Sequence, residues 1–360
     1  MKLIKFLVLA LGVLAFASCG GDDTPTKKKP MGSIILASDN NSYEVNSPIT
    51  FTITDNLGND RTAEAIILDK TNDYVEVPNP FTPTSDGEYQ FIASVGNMIA
   101  PTIKVNVVPT IPALPTDANP TNTSFHHRIL LVEHTGNSCG NCPKMMTALK
   151  EIAETESLHN RYYEAMAHSY SPADPAYSGA AGSISSHYGV NEYPKLTYNF
   201  YHTKPSDPNK ADIINQIVSL WKADGADAGI AASASFATSS VVVNIEVKAA
   251  IENDYRVTAW LLEDNIYAAQ TNATEDWMNI HNNAIRQRID SNDITGVDLG
   301  NIAAGEKRAT AVTLKISRTD WVRDNMKVLV ITSAKNAKGK FEVANVAICP
   351  IGGSVTYEYK

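Results

Sequence analysis

Cys139 and Cys142 stand three residues apart between an aliphatic run and a segment of helical periodicity. That junction constrains the centre of the chain more than any other feature. The run Arg128-Ile-Leu-Leu-Val-Glu133 is short, aliphatic and β-branched, and reads as a buried strand. From Lys144 to Thr155 the apolar positions Met145, Leu149, Ile152 and Ala153 follow helical spacing. Two thiols at a helix N-terminus meet unpaired backbone N–H groups and the positive end of the helix dipole, which favour a thiolate. The thiolate is the nucleophile of thiol–disulfide exchange, so the position suits that chemistry. The other reading is a static disulfide that staples the loop. It would close few residues and so gain little chain entropy.

Two distant features match the same arrangement. Glu133 lies six residues before Cys139, and Tyr188-Gly-Val-Asn-Glu-Tyr-Pro194 runs into a further β-rich segment, Lys195 to Phe200. Strand, Glu, CxxC and helix followed by YGVxxYP resemble the thioredoxin fold. The resemblance implies a buried carboxylate behind the second thiol and a cis peptide bond at Pro194, facing the dithiol and shaping a groove for a protein or peptide partner. It also implies that Cys139 is the exposed, attacking thiol and that Cys142 is the buried, resolving thiol. Glu133 would be a proton shuttle whose pKa burial raises. His168 ends a strand expected near the dithiol, where it would stabilise a thiolate or act as an acid, or else be a satisfied structural residue. Three positions depart from the thioredoxin pattern: Ser138 replaces the aromatic before the first cysteine, Asn141 replaces a frequent Pro or His, and bulky Tyr193 precedes the proline.

At 360 residues the chain is long enough for two or three domains. A net charge of −9 leaves no basic footprint for nucleic acid. The N-terminus reads as a lipoprotein signal peptide over residues 1–18. It has a basic start, an apolar core from Phe6 to Ala17 too short to span a bilayer, and a lipobox-like step into Cys19. Phe16 departs from the tightest form of that motif. Lipidation at Cys19 would anchor the chain to a membrane. Residues 19–30 form a polar tether, and Asp22 and Asp23 resemble the signal that places some lipoproteins on the outer cell surface. The bland reading of those acids is a solvated spacer. With Cys19 acylated and Cys139 and Cys142 paired, Cys349 remains as a buried small hydrophobe. No cofactor is expected. His126, His127 and His134 lie near the CxxC, but a second CxxC or an HxxxH spacing, as zinc would use, is lacking.

The expected fold is a multidomain α/β plus all-β chain, with a thioredoxin-like central domain flanked by two immunoglobulin-like β-sandwiches. The first sandwich covers 31–109, where Asp/Asn clusters serve turns rather than calcium. A Pro-rich linker, extended and semi-rigid, covers 110–124. The thioredoxin-like domain covers 125–225. Its Ser169 to Ser186 stretch, rich in small residues, is a mobile lid over the groove or plain disorder. The C-terminal sandwich covers 226–360 and carries a helical insertion at Thr274 to Ile289, with His281 and Arg286 on a docking face.

This order resembles the outer-membrane lipoprotein family of the 28-kilodalton outer-membrane protein type. The matching pieces are Gly136-Asn-Ser-Cys139-Gly-Asn-Cys142-Pro143, His168 before Asp174-Pro175, Ile280-His-Asn-Asn-Ala-Ile-Arg286, and Trp321 to Ile331. The resemblance implies a lipid-anchored protein of the outer membrane, on the cell surface or facing the periplasm, with a proposed adhesin or receptor role. Two functions therefore stand side by side: extracytoplasmic thiol–disulfide exchange, and a non-enzymatic receptor or adhesin that uses the same folds as a scaffold.

Overall fold

The computed structural model describes residues 32–200, 202–204 and 208–360. The signal peptide at 1–18, the lipidation residue Cys19 and the tether at 19–30 lie outside the described residues. The N-terminal unit follows from alternation. Its strands are β1 (Ile34–Ser38), β2 (Ser42–Glu44), β3 (Phe51–Asp55), β4 (Ile66–Asp69), β5 (Val75–Val77), β6 (Gly87–Val95), β7 (Met98–Ile99) and β8 (Ile103–Val108). β1 pairs with β3, and a six-stranded sheet runs β2-β8-β6-β4-β5 with β7 on β6. Every second residue points inward, so Ile34, Phe51, Ile53, Phe91 and Val105 meet in one core. Turn chemistry uses the acidic side chains: the Asp55 carboxylate accepts from the Leu57 and Asn59 N–H groups and pairs with Arg61 at 3.0 Å.

The segment 110–124 has no helix or strand and is tied down along its length. Asn244 Nδ2 donates to the Pro112 carbonyl at 2.9 Å, and Ser233 Oγ donates to that of Ala113 at 2.7 Å. Fully buried Lys248 donates to Asp117 at 3.1 Å, to the Asn119 and Pro120 carbonyls, and to Tyr359 Oη. An extended spacer was expected. A buried ammonium needs a full set of acceptors, and this segment supplies most of them.

The central part is β9 (Ile129–Thr135), α1 (Cys142–Ala153), β10 (Tyr162–His168), α2 (Gly179–His187), β11 (Lys195–Tyr198), β12 (His202–Lys204) and α3 (Lys210–Leu220). β9 and β10 are parallel with Glu133 opposite Met166, which requires the helical crossover that α1 provides. β11 returns antiparallel to β9 with Lys195 opposite His134. α1 and α3 cover Ile129, Leu131, Leu196 and Tyr198 on one sheet face. α2 packs Ala180, Ala181 and Ile184 against Leu130, Val132 and Ala167 on the other. The stretch 169–186, expected to be a lid or disorder, therefore ends in a helix. Ser178 caps it by accepting from the Ala181 N–H at 3.0 Å, and small side chains let it lie close to the sheet.

The C-terminal part contributes β13 (Ala228–Phe236), β14 (Ser240–Ala249), β15 (Asn253–Glu263), β16 (Ile266–Tyr267), β17 (Ile280–His281), β18 (Ala284–Arg288), β19 (Val297–Ile302), β20 (Lys307–Lys315), β21 (Met326–Lys335), β22 (Phe341–Pro350) and β23 (Gly353–Val355). Two sheets enclose Val243, Ile245, Val257, Leu261 and Val330. One is β20-β14-β13-β23. The other does not stop at a domain boundary: it runs β12-β11-β9-β10-β18-β15-β21-β22, with β19 added on β15. The chain is thus mostly β and combines α/β with all-β parts, but the division expected at 225/226 falls inside one nine-stranded sheet. The join is β10 against β18, parallel at Met166 opposite Ala284, with the Met166 N–H donating to the Asn283 carbonyl at 2.8 Å. Left open, the outer edge of β10 would carry unpaired backbone groups.

The helical insertion expected at 274–289 is also corrected. It holds one 3-10 turn, Asp276–Asn279, followed by β17 and β18. Ala284, Ile285 and Arg286 are all buried because β18 has covered faces on both sides. Arg286 Nε donates to Glu263 Oε2 at 2.6 Å, and Arg286 Nη1 donates to the Pro175 carbonyl at 2.9 Å. Both members of the ion pair are buried. Arg286→Ala is expected to destabilise the protein by about 3–5 kcal/mol, because it strands a buried carboxylate. The double change Glu263→Leu with Arg286→Met is expected to cost clearly less. Urea unfolding of the three variants beside the parent measures both.

Candidate functional site

β9 ends at Thr135 and the chain turns through Gly136–Asn141 into α1. Gly136 is sterically required, since a Cβ there would lie 2.6 Å from Cβ of Tyr170. Cys139 and Cys142 form a disulfide with their Cα atoms 5.5 Å apart. Cys142 is the first residue of α1, Asn141 is its N-cap, and Cys139 accepts the Cys142 N–H at 3.3 Å. Cys139 is 3% exposed and Cys142 0%. The expected exposed first thiol is therefore absent in this state: both cysteines are buried.

Glu133 sits one turn of alternation beyond Leu131, on the sheet face that α1 covers. It is fully buried, and neither carboxyl oxygen makes a hydrogen bond of good geometry. Burial first, and then the negative charge of Glu164, push its pKa well above the carboxylate range, against a weaker opposing pull from Thr135. Glu164 lies two residues before Met166, diagonal to Glu133 on the neighbouring strand. Burial raises its pKa to about 7, and its Oε1 is likewise shielded and unpartnered. Sequence reasoning missed Glu164. Its only signal was its position in the second strand, two residues before the partner of Glu133.

His168, at the end of β10, points Nδ1 at Asp174 Oδ2 at 2.8 Å, with both side chains buried. The same Asp174 oxygen accepts from the Asn137 N–H at 2.8 Å, and Asp174 Oδ1 accepts from the Ala176 N–H. Burial tends to raise the Asp174 pKa, but the His168 hydrogen bond and charge and the two N–H donors outweigh it and hold the carboxyl near about 2. His168 thus reaches the dithiol loop through Asp174 and Asn137. Its Nε2 has no hydrogen-bond partner and its ring meets that of His281 edge-on at 4.7 Å.

The Tyr193–Pro194 bond is cis, and Pro194 directly precedes β11. Since Lys195 pairs with His134, Pro194 stands level with the end of β9, where the dithiol loop begins. Tyr193 Oη lies 3.2 Å from Ser169 Oγ, which meets Ser185 Oγ at 2.6 Å. His134 spans Ser185 and Thr197, and His127 accepts from the Lys222 N–H. His127 and His134 therefore occupy separate hydrogen-bonded positions, and His126 is exposed. Among the described residues there is no group of three or more His, Cys, Asp or Glu placed to hold a metal ion. Cys349 is buried, and burial pushes its thiol up to about 11.

The feature that sequence reasoning missed altogether is a strap from the C-terminal part, between β16 and β17. Gln270 Nε2 donates to the Cys139 carbonyl at 2.9 Å, the Thr271 N–H to that of Asn137 at 2.7 Å, and Asn272 Nδ2 to that of Gly140 at 3.0 Å. Further along, Trp277 lies 5.8 Å from Lys150 Nζ on α1. No sequence motif marks these residues.

No family profile matches the chain, and no curated protein sequence does. Among solved structures, the chain is similar to HBP35 of Porphyromonas gingivalis. That match has a TM-score of 0.53 and 16% identity and covers 64% of this chain and 76% of that one. The similarity is one of fold. Domains 4–9 of the surface layer protein SbsC align at a TM-score of 0.20 and 9% identity, over 92% of this chain and 51% of that one. No helix among the described residues is long and apolar enough to cross a membrane.

The two raised carboxyls imply a pH dependence with a definite sign. A group whose folded pKa is raised binds its proton more tightly in the native state, so its stability contribution is full below the unfolded pKa and declines as pH rises. For Glu164 the decline runs from about 4.5 to about 7, and for Glu133, raised well above the same starting value, it has the same sign. Glu133→Gln and Glu164→Gln should each flatten stability against pH above 4.5. Glu133→Gln is expected to be more stable than the parent at pH 8, as read by urea midpoints across a pH series.

Proposed function

We propose that this chain is a lipid-anchored extracytoplasmic protein whose thioredoxin-like part carries out thiol–disulfide exchange at Cys139 and Cys142. The observation that supports it best is the setting of that disulfide. It lies at the first turn of α1, directly after a strand whose face toward α1 carries the unpaired, buried carboxyl of Glu133, and level with the cis peptide at Pro194. A buried carboxyl with no partner costs stability, so its retention argues for a proton-transfer role.

In the reductive direction, the Cys139 thiolate attacks a disulfide of a protein partner. A mixed disulfide forms and one partner thiolate leaves. Glu133 accepts the proton of Cys142, whose thiolate then attacks Cys139 Sγ. The second partner sulfur departs as a thiolate and the chain keeps the Cys139–Cys142 bond. Two electrons pass to the partner, and the reverse sequence oxidises it. Asp174 and His168 act as positioning residues that hold the loop before Cys139. Cys19 supplies the membrane anchor, at the outer membrane and with the folded parts on the cell surface, and no cofactor is needed.

The competing reading is a non-enzymatic receptor or adhesin that keeps the same folds as a scaffold. The burial of both cysteines favours it. Insulin-type disulfide reduction separates the two. Cys139→Ser should abolish turnover, Cys142→Ser should accumulate mixed disulfides, and Glu133→Gln should slow turnover with the fold intact. Parent turnover no faster than that of the double-serine variant would leave the scaffold reading. For the anchor, Cys19→Ala should remove fatty-acid labelling and release the protein from the membrane fraction. Equal labelling of parent and variant would defeat that assignment.

A further inference from the structure

The dithiol loop spends its backbone acceptors on the chain's own strap. The carbonyls of Asn137, Cys139 and Gly140 each receive a donor from three consecutive residues, Thr271, Gln270 and Asn272. Gln270 is itself buried, and its backbone N–H is fixed by Asn279 Oδ1 at 2.9 Å. Contact is close enough that a Cβ on Gly140 would lie 2.9 Å from Asn272 Nδ2. An extended partner that pairs with the dithiol loop through its own backbone N–H groups would find these carbonyls already taken. Any attacking sulfur would also need to reach a residue that is 3% exposed.

We infer that Gln270, Thr271 and Asn272 are specificity-determining residues of the dithiol: they occupy the partner's place on the loop and admit a protein disulfide or thiol only when the strap lifts. The inference rests on the exchange reading for Cys139 and Cys142. It deepens that reading by naming what selects the partner, namely a polypeptide able to take over the loop's carbonyls. The strap's hold is a local opening equilibrium built on a few net hydrogen bonds. It can yield without global unfolding.

The test measures reduction of the disulfide by dithiothreitol. One thiolate of the reagent attacks Cys139 Sγ, the S–S bond breaks and Cys142 departs as a thiolate. The second reagent thiol then displaces Cys139 and the reagent leaves as a cyclic disulfide, its two protons ending on the two cysteines. Freed thiols are trapped with a maleimide and assigned by peptide mass. Gln270→Ala with Asn272→Ala should speed trapping of Cys139 and Cys142 about tenfold, while buried Cys349 stays unlabelled. Equal rates in parent and variant overturn the inference. Should Cys349 become labelled too, the milder Asn272→Ala, which removes one exposed hydrogen bond, carries the same comparison: faster trapping supports the inference and an unchanged rate overturns it. Insulin reduction by the same proteins addresses the exchange reading separately. Faster trapping with no turnover in either protein would keep the strap as a gate and remove the exchange activity. Turnover with unchanged trapping would do the reverse.

Discussion

The pairing of β10 with β18 is the contact on which the rest of the structure depends. It closes the open edge of the β9–β10 unit and extends one sheet from the dithiol strand to β22. Because β15 and β18 are antiparallel with Glu263 opposite Ala284, the chain between them must leave the sheet and return to it. That excursion is the strap. Its base is closed by the Asn283 N–H donating to Asp264 Oδ1 at 2.7 Å and by the buried Arg286–Glu263 pair. Arg286 also holds the Pro175 carbonyl, next to Asp174, so the same side chain steadies both the strap's base and the loop that positions Asn137.

Two kinds of buried ionisable group stand out among the described residues. Lys248 with Asp117, Arg286 with Glu263, and His168 with Asp174 are paired; the first joins segments 131 residues apart, whereas His168 and Asp174 close a local turn of six. Such pairs add little net stability over apolar packing but penalise any arrangement that separates them. Glu133 is the opposite case: both its oxygens are buried and unpartnered, and half-buried Glu164 beside it has its Oε1 shielded and unpartnered as well. Packing alone would favour apolar residues there, since a shielded carboxyl without a partner carries a desolvation cost that pushes its pKa up. Their place beside the strand that leads into Cys139 is what gives this cost a chemical meaning.

The N-terminal unit is tied to the rest of the chain through the 110–124 segment and through the Thr238 N–H, which donates to Asp86 Oδ1 at 2.7 Å. Lys248 gathers Asp117, two carbonyls and Tyr359 around one ammonium. A segment rich in proline has few N–H donors of its own, so its carbonyls are free to serve as acceptors for a neighbouring sheet. That is how a stretch without secondary structure becomes a fixed part of the C-terminal core.

Local sequence by itself determined the elements whose signals are local. The strand at Tyr162–His168 and the helices at Cys142–Ala153 and Lys210–Leu220 follow from periodicity, and the alternating strands of the first unit follow from side chains that point to opposite faces. The pairing of Cys139 with Cys142 was legible from their spacing, and the cis bond before Pro194 only through the resemblance of its segment to the thioredoxin fold. Residues 179–187 were not, because Ala, Gly and Ser carry too little apolar contrast to reveal a helix that packs through close approach. Residues 280–288 were misread because a short apolar run fits a helix or a buried strand equally until its neighbours are known. Only the tertiary structure decided that the central and C-terminal parts share a sheet, that Glu164 lies beside Glu133, and that Gln270, Thr271 and Asn272 bond the carbonyls of the dithiol loop. Strand order and carbonyl acceptors depend on register between residues more than a hundred positions apart, and backbone acceptors are the same for every residue type, so no side-chain pattern could announce them.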